Sequence, residues 1–204
     1  MIAATTKTKP RRRVPAAERR DALIEAAMHH FAHGGLQGTK VSAIAADVGV
    51  AQPYVFSLFP TKRELFLAAV ERCFEKVSTL FEQAAADYER NGPQEAEEDK
   101  LNAIGKTYMG AIADNPDQLL LQLQSYAACG DDPGIQLAVR HNYARLVDLC
   151  RRLTGVDDER LDQFFQMGMW CNVAAALGIE DFSTESGWVE KSLSAEAGAP
   201  ASEA

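Results

Sequence analysis

Two stretches of the chain hold residues whose types and spacing suit chemistry. Residues 49–65, GVAQPYVFSLFPTKREL, crowd Gln52, Pro53, Tyr54, Phe56, Ser57 and Phe59 behind a glycine and then add the cations Lys62 and Arg63. Rings, hydroxyls, an amide and cations so close together suit a buried hairpin, the lip of a ligand site, or a surface that reads a partner. The second stretch holds His29 and His33 at i and i+4, the spacing of two metal ligands on one helix face. No carboxylate or cysteine lies near them in register, and histidines close to a helix C-terminus have a ready role against its dipole. The expectation is therefore no metal. Catalytic patterns are missing as well: the sequence has no GxSxG, no HExxH, no glycine-rich phosphate loop and no plausible Cys–His pair. Cys73, Cys129, Cys150 and Cys171 are widely spaced and make no ligand pattern, which suits reduced thiols in a cytoplasmic protein. Neither an enzyme nor a cofactor is expected.

Charge separates the two ends of the chain. The 204 residues carry a net −8, yet residues 1–65 hold ten Lys and Arg against five Asp and Glu, a net +5. The remainder holds eleven against twenty-four, a net −13. A basic head on an acidic body points to a polyanionic partner for the head alone. With 47% hydrophobic and 25% charged residues the composition is that of a globular protein, and no apolar run suffices to span a membrane. The basic N-terminus lacks the apolar core of a signal peptide.

The elements that must position these residues read as helices throughout. Residues 1–16, with Arg11, Arg12 and Arg13, read as a basic arm. Leu23, Ala27 and Phe31 share one face of a helix over 16–33, which Gly34 and Gly35 end. Thr39 is expected to cap a short helix over 40–48, Gly49 to turn, and a third helix to run over 52–58. Thr61 and Glu64 form a capping-box pattern that opens a long helix to about residue 90. Further helices are expected over about 96–113, 116–128, 134–154 and 158–178, followed by a tail over 181–204 in which Trp188 alone docks. The fold class is all-α. Two short helices about a glycine turn, behind a longer one, make a helix-turn-helix whose second helix is presented to a DNA major groove.

Residues 19–70 resemble the N-terminal domain of the TetR family of transcriptional regulators. The likeness rests on the alanine-rich first helix ending in Phe31, then Thr39, Ile44–Ala45, Gly49–Val50, Phe59, Lys62 and Leu65 in order and spacing. It implies a helix-turn-helix DNA-binding domain over 17–77, with the motif at about 40–59, and a helical regulatory and dimerisation domain over 78–180. It further implies a homodimer on a palindromic DNA operator, repression by family habit, and release by a small-molecule effector. Carried over by position, Thr39, Lys40 and Lys62 would touch phosphate, and Gln52, Pro53, Tyr54 and Ser57 would face DNA. Gln52 is the expected base reader, since its amide can pair bidentately with adenine. Two departures stand out. Ala51 replaces the family's Ser or Thr cap, at a cost of about 1 kcal/mol, which Pro53 in the first turn partly offsets. Phe56 replaces a phosphate-binding tyrosine, and Tyr54 is the candidate to supply the missing hydroxyl. Phe56, Leu58 and Phe59 are expected in the core of the head.

In the body, Ile135, Val139, Asn142, Leu146, Cys150 and Leu153 repeat at bundle spacing. With Phe164, Phe165, Gly168, Trp170, Ala174 and Ala175 they are expected to build the dimer through helices 134–154 and 158–178. Tyr108, Met109, Leu119, Gln122, Leu123 and Tyr126 are the candidate ligand pocket, apolar walls with a few amides and hydroxyls. The competing readings are a ligand-independent or architectural DNA-binding protein and, further off, an enzyme. The acidic body disfavours the architectural one.

Overall fold

The computed structural model describes residues 15–95 and 99–179, together with positions 189 and 192. The expectations for Arg11–Arg13 and Trp188 lie outside the described residues. Eight helices and no strand occur among the described residues: α1 Ala16–Gly38, α2 Val41–Asp47, α3 Gln52–Leu58, α4 Lys62–Asn91, α5 Lys100–Asp114, α6 Asp117–Ala128, α7 Pro133–Thr154 and α8 Asp158–Ala176. The fold class is the all-α one expected.

Helix α1 buries the stripe Leu23, Ala27 and Phe31, widened by Ile24 and Met28, against α4 and α6. Phe31 meets Phe66 of α4 edge-on with ring centroids 5.0 Å apart. Truncating a buried phenylalanine costs about 3–5 kcal/mol, so loss of either ring would remove much of the stability of the head. The regular helix breaks at Gly35, whose φ of 61° and ψ of −179° are open only to glycine. The chain resumes one more turn to Gly38 before α2.

Thr39 does not cap α2. Lys40 takes the N-cap position without a side-chain hydrogen bond, and the buried Thr39 hydroxyl donates to the His30 carbonyl at 2.9 Å. That bond fastens the loop to α1. Thr61 does cap α4, accepting from the Glu64 amide at 3.1 Å. Helix α4 then runs through the middle of the molecule with Leu65, Phe66, Ala69, Phe74, Val77 and Phe81 buried. The expected domain boundary at residue 77 falls within this one helix, so head and body share it.

Head and body also meet across α1 and α6. Asp117, at the start of α6, accepts from His29 at 2.7 Å and His33 at 2.9 Å. Burial alone would raise its carboxyl, but those two hydrogen bonds outweigh burial and hold it below the usual carboxylate range. Asp117 is the carboxylate missing from the sequence around the histidines; it arrives from 84 residues away. Asp132 ties a second point. Its carboxylate caps α7 through the Gly134 and Ile135 amides and grips Arg63 of α4 bidentately at 2.6 and 2.9 Å. The Arg63 hydrogen bond, helped by the Ile135 amide, holds the Asp132 carboxyl far below its ordinary value.

The α7 stripe differs from expectation. Ile135, Val139, Leu146 and Cys150 are buried inside the protomer rather than offered to a second chain. Ala174 is buried too, and Phe164 and Phe165 pack against the core. Among the described residues of the body, the large apolar side chains left exposed are Leu137 on α7 and Met167, Met169, Trp170 and Val173 on α8, with Leu177 just beyond it. Bundle spacing marks a buried face, but the α4–α7 contact fills it from within the chain.

Candidate nucleic-acid interface and effector cavity

Helices α2 and α3 differ in direction by 100° about Gly49, within the range of a helix-turn-helix. Gly49 has φ 68°, and the Val50 amide closes the turn on the Ala45 carbonyl at 2.9 Å. Ile44, Ala45, Val55 and Phe59 are buried in the same core as the inner faces of α1 and α4, with α2 packed on α1 and α3 on α2. On α3 the core residue is thus Val55; Phe56, expected in the core, is 38% exposed. A seven-residue helix laid on a core by positions 55 and 59 turns position 56 about 100° away from that contact.

The rest of α3 is set out for contact. Gln52, Pro53 and Ser57 are exposed and Tyr54 is half-buried. Ala51 is the N-cap and makes no side-chain cap, with Pro53 in the first turn. The Ser57 hydroxyl donates to the Tyr54 carbonyl at 2.6 Å. Arg19 lies over the Tyr54 ring at 5.8 Å and Arg20 over Phe59 at 4.9 Å, cation–π contacts that bring two α1 cations beside α3. The Tyr54 hydroxyl has no hydrogen-bond partner among the described residues.

The cations at the edges differ in state. Lys40 is exposed, with no ion pair or hydrogen bond among the described residues. Lys62 donates to the Gln37 carbonyl at 3.0 Å and the Thr39 carbonyl at 3.3 Å. An ammonium has three protons, so Lys62 keeps one for an outside acceptor. Thr39 is turned inward; its side chain supports the loop that carries Lys40.

A cavity of about 570 Å³ opens in the body between α4, α5, α6, α7 and α8, a size that suits a drug-sized compound. Of the six expected pocket residues, Tyr108, Met109, Gln122 and Tyr126 line it. Leu119 and Leu123 do not; Leu119 is 1% exposed and packs in the core. Phe81, Tyr143, Phe164 and Phe165 complete an aromatic wall. Phe164 and Phe165 meet edge-on at 5.3 Å, and Phe81 meets Tyr108 at 5.9 Å.

One polar relay crosses the cavity. Tyr126 donates to the side-chain oxygen Oε1 of Gln122 at 3.4 Å, and Nε2 of Gln122 donates to the Tyr108 hydroxyl at 3.1 Å. Tyr108 donates in turn to the side-chain oxygen Oδ1 of Asn172 at 3.0 Å. Burial raises the Tyr108 hydroxyl to about 12, against the lowering effect of its Gln122 and Asn172 hydrogen bonds. Tyr108 therefore stays a neutral donor. Asn172 is 3% exposed, and its amide nitrogen has no partner among the described residues. Spacing on one helix cannot show this wall, because its residues come from five helices.

Comparison with known proteins places these features. Residues 23–69 match the family described as bacterial regulatory proteins, tetR family. No curated protein matches the chain. Among solved structures, a TetR-family member from Streptomyces coelicolor A3 aligns with TM-score 0.65 and 18% identity, over 82% of this chain and 92% of that one. A protein from Pseudomonas aeruginosa PAO1 assigned as a transcriptional regulator aligns with TM-score 0.62 and 23% identity, over 91% and 94%. The regulator FadR of Bacillus subtilis, in complex with stearoyl-CoA, aligns with TM-score 0.61 and 15% identity, over 79% and 89%. At these identities the likeness shows the fold, while the sequence match falls on the helix-turn-helix. Residues 23–69 are thus a tetR-family domain carrying the helix-turn-helix, and the chain as a whole shares its fold with solved TetR-family structures.

Proposed function

We propose that the chain is a homodimeric repressor that reads a palindromic operator with α3 and is released when a small molecule fills the body cavity. The observation that carries the DNA part is the exposed row Gln52, Pro53, Tyr54 and Ser57 on a helix whose other side is anchored by Val55. Recognition helices meet base edges with their N-terminal residues, and Gln52 is the first residue of α3. Lys40 and the spare proton of Lys62 flank this row as phosphate contacts, with the Tyr54 hydroxyl beside them. Thr39 acts by holding the Lys40 loop. The remaining charge of the body keeps the protein off DNA elsewhere.

A second copy covers the apolar stripe of α8. Trp170, Val173 and Leu177 stand at i, i+3 and i+7 on one face and are 38%, 41% and 67% exposed. Such a stripe favours a partner helix. The effector is a neutral, largely aromatic compound carrying a hydrogen-bond acceptor for the free Asn172 amide. Its route to the head is short: Gln122 and Tyr126 of α6 line the cavity, and Asp117 and Gln124 of the same helix touch α1. An effector that favours another placement of α6 lowers operator affinity by its differential affinity for the two arrangements.

Selection of fragments from genomic DNA tests this reading. The expected result is a two-fold symmetric site bound at least about a thousandfold more tightly than random DNA. Equal binding to all fragments would instead mark an architectural protein.

A further inference from the structure

We propose that His29, His33 and Asp117 form a binding site for a divalent transition-metal ion of the zinc, nickel or cobalt class, joining α1 of the head to α6 of the body. The two histidines share a face of α1, their ring centroids 4.8 Å apart. Nδ1 of His29 lies 2.7 Å from one Asp117 oxygen, and Nε2 of His33 lies 2.9 Å from the other. The three ligand atoms all lie within 4.8 Å of one another. Around a tetrahedral zinc ion, with bonds near 2.1 Å, ligand atoms sit roughly 3.4 Å apart. That separation lies within the range the three atoms already occupy, so side-chain rotations suffice and the helices need not move. The ion takes the place of the protons now held between imidazole and carboxylate.

The donor set selects the ion. Two imidazoles and one carboxylate suit zinc, nickel or cobalt, whereas magnesium and calcium prefer all-oxygen shells. The scaffold is stiff where it must be. The histidines lie within α1, and the Asp117 amide donates to the Asn115 side chain at 3.1 Å, fixing the start of α6. His29 and His33 are 60% and 53% exposed at their side chains, which leaves an open side for water to complete the coordination. His30, next in sequence, is held by Asp47 at 2.7 Å and takes no part. Because the ligands come from both halves of the molecule, an ion here favours the α1–α6 arrangement described above over any other.

Calorimetric titration of the tag-free, metal-stripped full chain with Zn²⁺, and visible absorption with Co²⁺, test the site. The expected result is one ion per chain, a rise in melting temperature on adding metal, and d–d bands without sulfur charge transfer. His33→Ala and His29→Gln, both at exposed side chains that leave the core intact, should each weaken binding at least about tenfold. Asp117→Asn should do the same, and His141→Ala should change nothing. No heat and no spectral change in the unmodified chain overturns the proposal. So does binding that survives unchanged in both histidine variants, or a Co²⁺ spectrum showing thiolate ligation.

Discussion

Replacing Gly35 by alanine strains the backbone where α1 stops being a regular helix and begins the approach to α2. At φ 61° and ψ −179° an L-residue sits in a region essentially reserved for glycine, at a cost of about 1–3 kcal/mol. The new Cβ would also lie 2.6 Å from Oε1 of Gln124 on α6. That atom ends a flexible side chain, so turning it aside costs no more than about 1 kcal/mol. Backbone strain is therefore the larger effect. For a chain of this size each 1 kcal/mol lowers the melting temperature by about 2–4 °C, so the two effects together should make Gly35→Ala melt roughly 2–16 °C below the parent. The assay is thermal unfolding by circular dichroism, with Gly35→Ala/Gln124→Ala as the companion. Removing the Gln124 side chain relieves the collision but not the strain, so the double variant should recover less than half of the loss. An unchanged melting temperature, or full recovery in the double variant, would show that position 35 carries no backbone strain.

Two further substitutions probe the surfaces. Tyr54→Phe removes a hydroxyl that has no partner among the described residues; operator affinity should fall by about 1.5–3 kcal/mol, the worth of a hydrogen bond to a charged group, as read by fluorescence anisotropy. Unchanged affinity would remove Tyr54 from the phosphate contact. Trp170→Glu places a charge in the exposed stripe of α8 and should convert the proposed dimer to monomers in sedimentation analysis, with the helical content kept; an unaltered mass would put the interface elsewhere.

Local signals were the ones legible in the sequence. Gly35, Gly49 and the Thr61 cap act within a few residues of themselves, and each lies where the pattern put it. Position 51 likewise behaves as its residue type demands, leaving α3 without a side-chain cap. Facing was legible only where one neighbour decided it. Phe56 and Val55 are both apolar and adjacent, and periodicity over seven residues does not say which one enters the core. The apolar repeat of α7 marks a buried face correctly, but whether the burying helix belongs to the same chain is a matter of tertiary packing. The histidine cluster lay beyond reach for another reason: Asp117 comes close only through the α1–α6 crossing. The cavity wall has the same origin, since Phe81, Tyr108 and Asn172 stand on three different helices.

Reading by α3 is the claim on which the rest depends, and Gln52→Ala tests it most directly. On the fragment recovered by genomic selection, affinities of parent and variant are compared for that fragment and for random DNA at one salt concentration. The expected loss on the selected fragment is about 1–3 kcal/mol, the worth of one bidentate base contact, with no change on random DNA. Equal losses on both, or none on either, would contradict reading by α3.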